Sequence, residues 1–294
     1  MKTGVILVTL GGPRGLEEVP EFIGRFLGRQ LPGPAMQAVI ERYRLIGGFS
    51  PLCRITEAQA AALGDMLGPE YHCVAAFRYS RPFIAEALDG AAAEGPARIR
   101  VLLLSPFFTS VTTGNYIAAA NEHLEVHPLP LPVDFIHSWY KEPLFIESWV
   151  EAICGDSFDS QAFYLFSAHS LPMRFAAEPY RRQIEETVEL VAQRAGIEHR
   201  LLGWQSIPEK AGEPWIGPSV EQRIDEIAAA GFTRLIQVPI GFTADHIETL
   251  YDIDITHRRY ATERGLSFRR IASLNDRGPF IRALKAIVTT GRSG

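Results

Sequence analysis

Eight short runs of consecutive apolar residues, most followed by a longer stretch with helical spacing, constrain this chain more than any other feature. The runs lie near Val5–Thr9, Cys73–Phe77, Arg100–Ser105 and Asp134–Ser138, then near Phe163–Ser167, Leu201–Gln205, Leu235–Ile240 and Phe268–Ile271. Apolar side chains on consecutive rather than alternate positions suit strands covered on both faces, as in a parallel sheet flanked by helices. The intervening stretches supply the helices, among them Glu57–Met66, Pro143–Cys154, Glu178–Ala195 and Val220–Ala230. Pro218-Ser219 before the last of these and Gly231 after it form a start and a stop. Four strands and then four more, in β–α order, predict an α/β protein of two similar doubly wound halves. We place the halves at 1–145 and 146–294, with Gly155-Asp156-Ser157 breaking a helix near the boundary. No low-complexity linker parts them, so they are expected to pack as one body with a cleft between. Ligands in such folds sit outside the carboxyl ends of the strands.

Composition narrows the function classes. With 294 residues and 47% hydrophobic content, the chain can bury one large core or two smaller ones. A net charge of -5 without a basic tract argues against nucleic-acid binding, because nothing would neutralise phosphates. The apolar run Val5–Leu10 leads straight into Gly11-Gly12-Pro13 and reads as a first buried strand. No stretch approaches the roughly 18 apolar residues of a membrane span. Cys53, Cys73 and Cys154 are odd in number and none forms C-x-x-C, so they are read as buried thiols. A disulfide framework, a zinc site and a cysteine-bound iron–sulfur cluster are not expected. These features point to a cytoplasmic protein, with a monomer as the default.

The strand ends carry the residues with chemistry. The run Phe163–Ser167 passes into Ala168-His169-Ser170-Leu171-Pro172, so an imidazole emerges at the mouth of the sheet. Histidine binds a metal through a neutral ring nitrogen or accepts a proton near neutral pH. Alone at a strand end, it is more often structural or incidental. The run Leu235–Ile240 leads through Gly241, Phe242 and Asp245 to His246 and Glu248, with Asp252 four residues further on. Asp245 is placed to cap the helix expected to start here. Helical spacing puts Glu248 and Asp252 on one face, which is either a solvated acidic surface or a surface for a cation. An imidazole and a carboxylate in one cleft can ligate a divalent ion and take up protons. His246 is a competing ligand. H-x-E also occurs in zinc deaminases, but their P-C-x-x-C partner is absent. Gly11-Gly12-Pro13 is not G-x-G-x-x-G, and no G-x-x-x-x-G-K-[S/T] occurs, so nucleotide readings lose their support. Arg42 to Pro51 offers cations, glycine backbone and a hydroxyl suited to a carboxylate or phosphate.

Together the motifs resemble the ferrochelatase family, the class II chelatases of heme synthesis. The matching stretches are Leu7–Pro13, Tyr43–Thr56, Ser138–Pro143, Phe166–Pro172 (FSAHSLP), Gly203–Ser206 (GWQS), Pro214–Pro218 and Pro239–Asp254 (PIGFTADHIETLYDID). The resemblance implies two Rossmann-like halves, each a four-stranded parallel sheet flanked by helices, around a porphyrin cleft. It implies a lyase that inserts Fe²⁺ into protoporphyrin IX or coproporphyrin III and releases two protons. His169 and Glu248 become the catalytic and metal pair, on opposite walls of the cleft, with Asp252 continuing an acidic path. Arg29, Arg42, Tyr43, Ser50 and Tyr116 are assigned to the porphyrin's propionate side. The third carboxylate of the family's path is Thr256 here, for which Asp254 is the substitute. Arg14 stands where some short bacterial members place an iron-ligating tyrosine, and Phe107 replaces a histidine of some members. Iron and porphyrin are substrates, and no prosthetic group is implied.

Metallation exchanges two pyrrole N–H protons for one cation, so the enzyme should favour a distorted macrocycle over a flat one. Phe49, Phe107, Phe108, Tyr116 and Phe242 are candidate contacts for that macrocycle. Competing readings are insertion of cobalt or nickel into a related tetrapyrrole, a porphyrin or heme carrier without turnover, and an unrelated doubly wound binding protein.

Overall fold

The computed structural model describes residues 2–155, 158–208 and 212–291. Asp156 and Ser157 of the expected helix break lie outside the described residues. The strands are β1 (Thr3–Thr9), β2 (Tyr71–Phe77), β3 (Arg98–Leu103), β4 (Val133–Ile136), β5 (Phe163–His169), β6 (Arg200–Gln205), β7 (Arg234–Val238) and β8 (Ser267–Arg270). The helices are α1 (Val19–Leu27), α2 (Gly33–Leu45), α3 (Leu52–Leu67), α4 (Ile84–Ala93), α5 (Asn115–Val126), α6 (Pro143–Cys154), α7 (Tyr180–Ala195), α8 (Val220–Ala229), α9 (Arg258–Thr262) and α10 (Gly278–Thr290). Two segments, Ser110–Gly114 and Glu248–His257, wind as π-helix.

The strands form two four-stranded sheets with the same order, β2-β1-β3-β4 and β6-β5-β7-β8. Every ladder within them is parallel. Burial follows the spacing: Val5, Ile6, Leu7 and Val8 of β1 are all inaccessible, so both faces of the strand are covered. The expected strands are present, with ends shifted by one to two residues. β5 runs on to His169 because its ladder with β6 continues through Ala168–Trp204 and His169–Gln205. The start of α8 is a capping box. Gln222 N–H donates to Ser219 Oγ at 3.2 Å, and Ser219 N–H donates to Gln222 Oε1 at 2.8 Å.

The halves share one core. A single cluster of buried side chains joins Val5, Leu7 and Phe77 of the first sheet to Tyr164, Phe166 and Trp204 of the second. The final helix seals the join: α10 packs on α6 and crosses to α3. Phe280 of α10 lies 6.2 Å from the Trp139 ring, and Trp139 meets Phe145 edge-on at 5.0 Å. Such aromatic pairs add about 0.5–1.5 kcal/mol beyond their burial. Lys285 Nζ donates to the Met66 carbonyl at 2.9 Å. Of the three thiols expected inside, only Cys53 is fully buried; Cys73 is half-buried and Cys154 exposed. Among the described residues, no helix is long and apolar enough to cross a membrane.

Candidate active site

The order β6-β5-β7 sets β5 between the two strands whose ends carry the rest of the site. His169 is the last residue of β5, paired in register with Gln205, so Ser206 follows directly beside it on the β6 side. From the β7 side, the chain turns back at Gly241. A Cβ there would sit 2.8 Å from Ala168 Cα, so only glycine permits this close approach to β5. The turn delivers Phe242, His246 and then Glu248 to the same edge.

His169 Nδ1 and Glu248 Oε2 are 2.9 Å apart. This corrects the expectation that the two groups face each other across a macrocycle. Both belong to the second half and touch directly, because β5 and the segment after β7 are sheet neighbours. His169 Nε2 has no partner among the described residues, so that nitrogen is left for a ligand. Ser206 Oγ donates to Glu248 Oε2 at 3.1 Å and lies 3.5 Å from Asp252 Oδ2. Ser206 holds φ at +63°, a left-handed conformation that strains a residue with a side chain. Tyr180 supports the strand end by donating its hydroxyl to the His169 carbonyl at 2.9 Å.

The charges are coupled. Burial pulls the His169 imidazole down, but the Glu248 charge and hydrogen bond, with Asp252 behind them, leave it above its ordinary value. Burial pushes Glu248 up, yet His169, His246 and Ser206 bring it down to about 2. Among the described residues, no imidazole hydrogen-bonds to Asp252. Burial and the Glu248 charge push it up to about 7, in spite of Arg42, His169 and Ser206. An acid poised near neutrality beside a firmly ionised one is a functional pattern.

Glu248 and Asp252 do share a face, as expected, but on a π-helical rather than an α-helical segment. π-helical turns are rare and concentrate at functional sites. Among the described residues, no three His, Cys, Asp or Glu side chains are grouped to hold a metal ion. Asp252 therefore does not join His169 and Glu248 as a third ligand at one point; it connects to Glu248 through Ser206. Two further expectations are corrected. Asp245 does not cap the helix but accepts from Arg270 Nη1 at 2.8 Å and Asn275 Nδ2 at 2.9 Å. Asp254 is not available to extend the path, because Arg270 grips both its oxygens, at 2.9 and 2.8 Å. His246 Nε2 is 3.9 Å from Glu248 Oε1, and burial holds its imidazole below the ordinary value.

A cavity of about 210 Å³ opens beside the pair, lined from the first half by Thr9, Leu10, Phe26 and Tyr116 and from the second by Tyr180 and Phe242 among others. The slot thus lies between the halves, with His169 and Glu248 together on one wall. The volume is below the ~300–1,000 Å³ of common ligand pockets, so a macrocycle must extend into the open mouth or part the halves.

Of the five expected porphyrin contacts, only Tyr116 lines this cavity. Arg29 is exposed on the loop after α1. Arg42 stands over the Tyr251 ring at 5.3 Å, beside the acidic face. Tyr43 is buried, its hydroxyl raised by burial and by the Glu248 charge. Ser50 is buried against Gly12 and donates its backbone N–H to the Pro13 carbonyl at 2.8 Å, which locks the first turn. Arg14 is paired with Glu57 at the surface. Among the candidate aromatics, Phe107 is core, edge-on to Tyr180 at 6.2 Å, whereas Phe242 lines the slot. Sequence reasoning missed Phe26, Tyr180 and Ser206. For Ser206 the GWQS stretch was the available signal, and for Phe26 the four-residue spacing from Phe22.

The family model described as Ferrochelatase matches residues 2–292. The chain belongs to the ferrochelatase family. A ferrochelatase of Geobacter sp. (strain M21) is similar at 34% identity, over 98% of this chain and 98% of the relative. A coproporphyrin III ferrochelatase of Halalkalibacterium halodurans is 33% identical, over 98% of this chain and 96% of the relative. Among solved structures, SirB from Bacillus subtilis with Fe³⁺ aligns at a TM-score of 0.58, covering 99% of this chain and 96% of that one. Its 13% identity makes this a likeness of fold. The two matching sheets described above are the chelatase-like arrangement of this ferrochelatase.

Proposed function

We propose that His169, Glu248 and Asp252 are the centre at which this ferrochelatase inserts Fe²⁺ into a porphyrin, the lyase step of heme biosynthesis. The observation that carries the reading is the His169 Nδ1–Glu248 Oε2 contact of 2.9 Å, which leaves Nε2, on the wall of the slot, without a partner among the described residues. A histidine whose other nitrogen is held by a carboxylate is oriented and made more basic, whether it receives a proton or a metal. His169 Nε2 accepts a pyrrole proton as the macrocycle distorts, and Glu248 stabilises the imidazolium. Glu248 also attracts the incoming cation. Ser206 links Glu248 to Asp252, which at about 7 both takes up and releases protons at neutral pH. Two side chains hold the cation loosely enough to give it up to four pyrrole nitrogens. Iron here is substrate, not a resident cofactor, and no prosthetic group enters.

The halves 1–145 and 146–294 frame the slot, and the phenyl faces of Phe26 and Phe242 offer rigid contact to the macrocycle. A cytoplasmic monomer fits these features. His169→Ala and Glu248→Gln are each expected to lower iron insertion at least a hundredfold, the scale of a lost acid–base group. The assay is anaerobic turnover with ferrous iron and either protoporphyrin IX or coproporphyrin III. Turnover near that of the parent in either purified variant would end this assignment.

A further inference from the structure

The halves touch along a seam in the slot. Leu104 of the first half and Thr243 of the second both line it, and Thr243 Oγ1 donates to the Leu104 carbonyl at 3.1 Å. The stretch from Thr243 to Glu248 is short, so whatever fixes it also fixes where the carboxylate stands. Asn275, on the loop between β8 and α10, holds this stretch at two points. Its backbone N–H donates to the Thr243 carbonyl at 2.9 Å. The Asp245 N–H donates to Asn275 Oδ1 at 2.8 Å, and Asn275 Nδ2 donates to Asp245 Oδ2 at 2.9 Å. Only this orientation of the amide serves, because a flipped one would set N–H against N–H and oxygen against carboxylate. Beyond Asp245, the His246 N–H donates to Thr249 Oγ1 at 3.0 Å and the Leu250 N–H to the His246 carbonyl at 2.9 Å, which carries the order past Glu248.

Asn275 is tied to the first half as well. Its carbonyl accepts from Gln59 Nε2 at 2.7 Å. Gln59 is inaccessible and its Oε1 has no partner among the described residues, so this one bond is what the buried amide contributes. Along α3, Leu52, Thr56 and Gln59 share a face. Leu52 lines the slot, and Thr56 Oγ1 lies 3.3 Å from Oγ1 of Thr9, which lines it too. The helix is thus a rigid arm from the first-half wall of the slot to Asn275. Asn275 holds φ at +50°, a left-handed conformation that asparagine tolerates better than most side chains. In that conformation its N–H, carbonyl and amide serve Thr243, Gln59 and Asp245 at once.

We propose that Asn275 is a positioning residue for iron insertion: between α3 on one side and Thr243–Asp245 on the other, it registers Glu248 against the first-half wall of the slot. This rests on the reading that Glu248 takes part in insertion. A cation must pass from that carboxylate to a ring that also rests on the other half, and a misplacement of about 1 Å costs on the order of a hundredfold in rate. Asn275 is not among the residues lining the slot, so ring binding has no direct need of it.

Asn275→Gly is the deciding variant, because glycine keeps the left-handed backbone, and with it the bonds to Thr243 and Gln59, and loses only the grip on Asp245. In the full chain, kcat for anaerobic ferrous iron insertion should fall about tenfold or more. Porphyrin affinity, read by absorbance titration, and KM for iron should each stay within about twofold of the parent, since uniform binding is untouched. Added to Glu248→Gln, the same substitution should cost less than about twofold further, because a group acting through Glu248 then has nothing left to place. Gln59→Leu cuts the other arm without touching Asp245 and should lower kcat severalfold with the same unchanged affinities; it carries the test alone if Asn275→Gly does not fold. Parental kcat in either folded variant overturns the proposal. So does a loss of porphyrin affinity that matches the loss of rate, or full additivity with Glu248→Gln, since either marks general loosening. Parental turnover in Glu248→Gln itself fails the proposed function and removes the placing role with it. A large loss in Glu248→Gln beside none in Asn275→Gly overturns the placing role alone.

Discussion

Asp252→Asn should make the protein more stable and less active, with a pH signature that no generic surface change would give. In the fold, burial and the Glu248 charge push the Asp252 carboxyl up to about 7, whereas a free aspartate ionises near 3.9. At 1.36 kcal/mol per pH unit the gap corresponds to about 4 kcal/mol. Asp252 is only half-buried, and solvent screening reduces this to roughly 2 kcal/mol. The sign follows from proton counts. Between about pH 4 and 7 the folded chain holds a proton that the unfolded chain has lost, so stability falls as pH rises through that window. Asparagine cannot ionise and is spared the penalty. Thermal melts at pH 8 should place the variant above the parent by roughly 3 °C for a chain of this size, converging by about pH 4. Glu248→Gln is the internal control with opposite sign. Glu248 lies at about 2 in the fold, so its ionised form contributes stability above the unfolded value near 4.3, and this is lost as pH falls towards 2. Equal melting temperatures for Asp252→Asn and the parent at pH 8 would refute the raised carboxyl and the relay built on it.

Two other substitutions separate the remaining roles. Ser206→Gly removes the link between Glu248 and Asp252 and also relieves a left-handed φ. It should melt higher than Ser206→Ala by about 1 kcal/mol, while both lower turnover by about tenfold; normal turnover in either would exclude the hydroxyl from the path. Arg42→Ala removes a charge that holds Asp252 down. The Asp252 limb of the pH–rate profile should move to higher pH with porphyrin affinity unchanged, and a loss of affinity alone would return Arg42 to the porphyrin edge.

The parts of this architecture that depend on local periodicity were legible in the sequence. Consecutive apolar positions located the buried strands because coverage on both faces leaves no polar alternation to read. That His169 and Glu248 reach one cleft was legible because strand ends in a doubly wound sheet are where side chains meet a cleft. Their direct contact was not legible, since it depends on β5 lying between β6 and β7 rather than on any spacing along the chain. Four-residue spacing also cannot separate α from π winding. That choice is made by tertiary anchors, in particular the grip of Arg270 on Asp254 and the burial of His257 against Gln237 at 3.2 Å. Ser206 escaped because left-handed backbone at a serine follows from the hydrogen bonds it closes. Phe26 escaped because α1 is nine residues of mixed polarity, and its value lies in the rim it forms with Tyr79.

The acids around the π-helix show how the fold aims a negative field. Asp245, Glu248, Asp252 and Asp254 fall within ten residues, and left uncompensated they would repel one another. Arg270, at the end of β8 and almost fully buried, pairs with Asp245 and with both oxygens of Asp254. With Arg258 Nη2 also 3.6 Å from Asp254 Oδ1, this offsets the pair beside β8, while Glu248 lines the slot and Asp252 sits behind it through Ser206. A buried guanidinium with two carboxylates is a structural neutraliser, because removing either side leaves an unpaired charge inside. Glu248 then has only histidines and a serine as company, so its charge is available to a cation. Asp252, for which Arg42, His169 and Ser206 do not offset burial and the Glu248 charge, keeps its proton until near neutrality. Thr256 in place of a third carboxylate fits this division. With Asp254 committed to Arg270, the proposed acidic route ends at Asp252, on which the Arg42 charge acts.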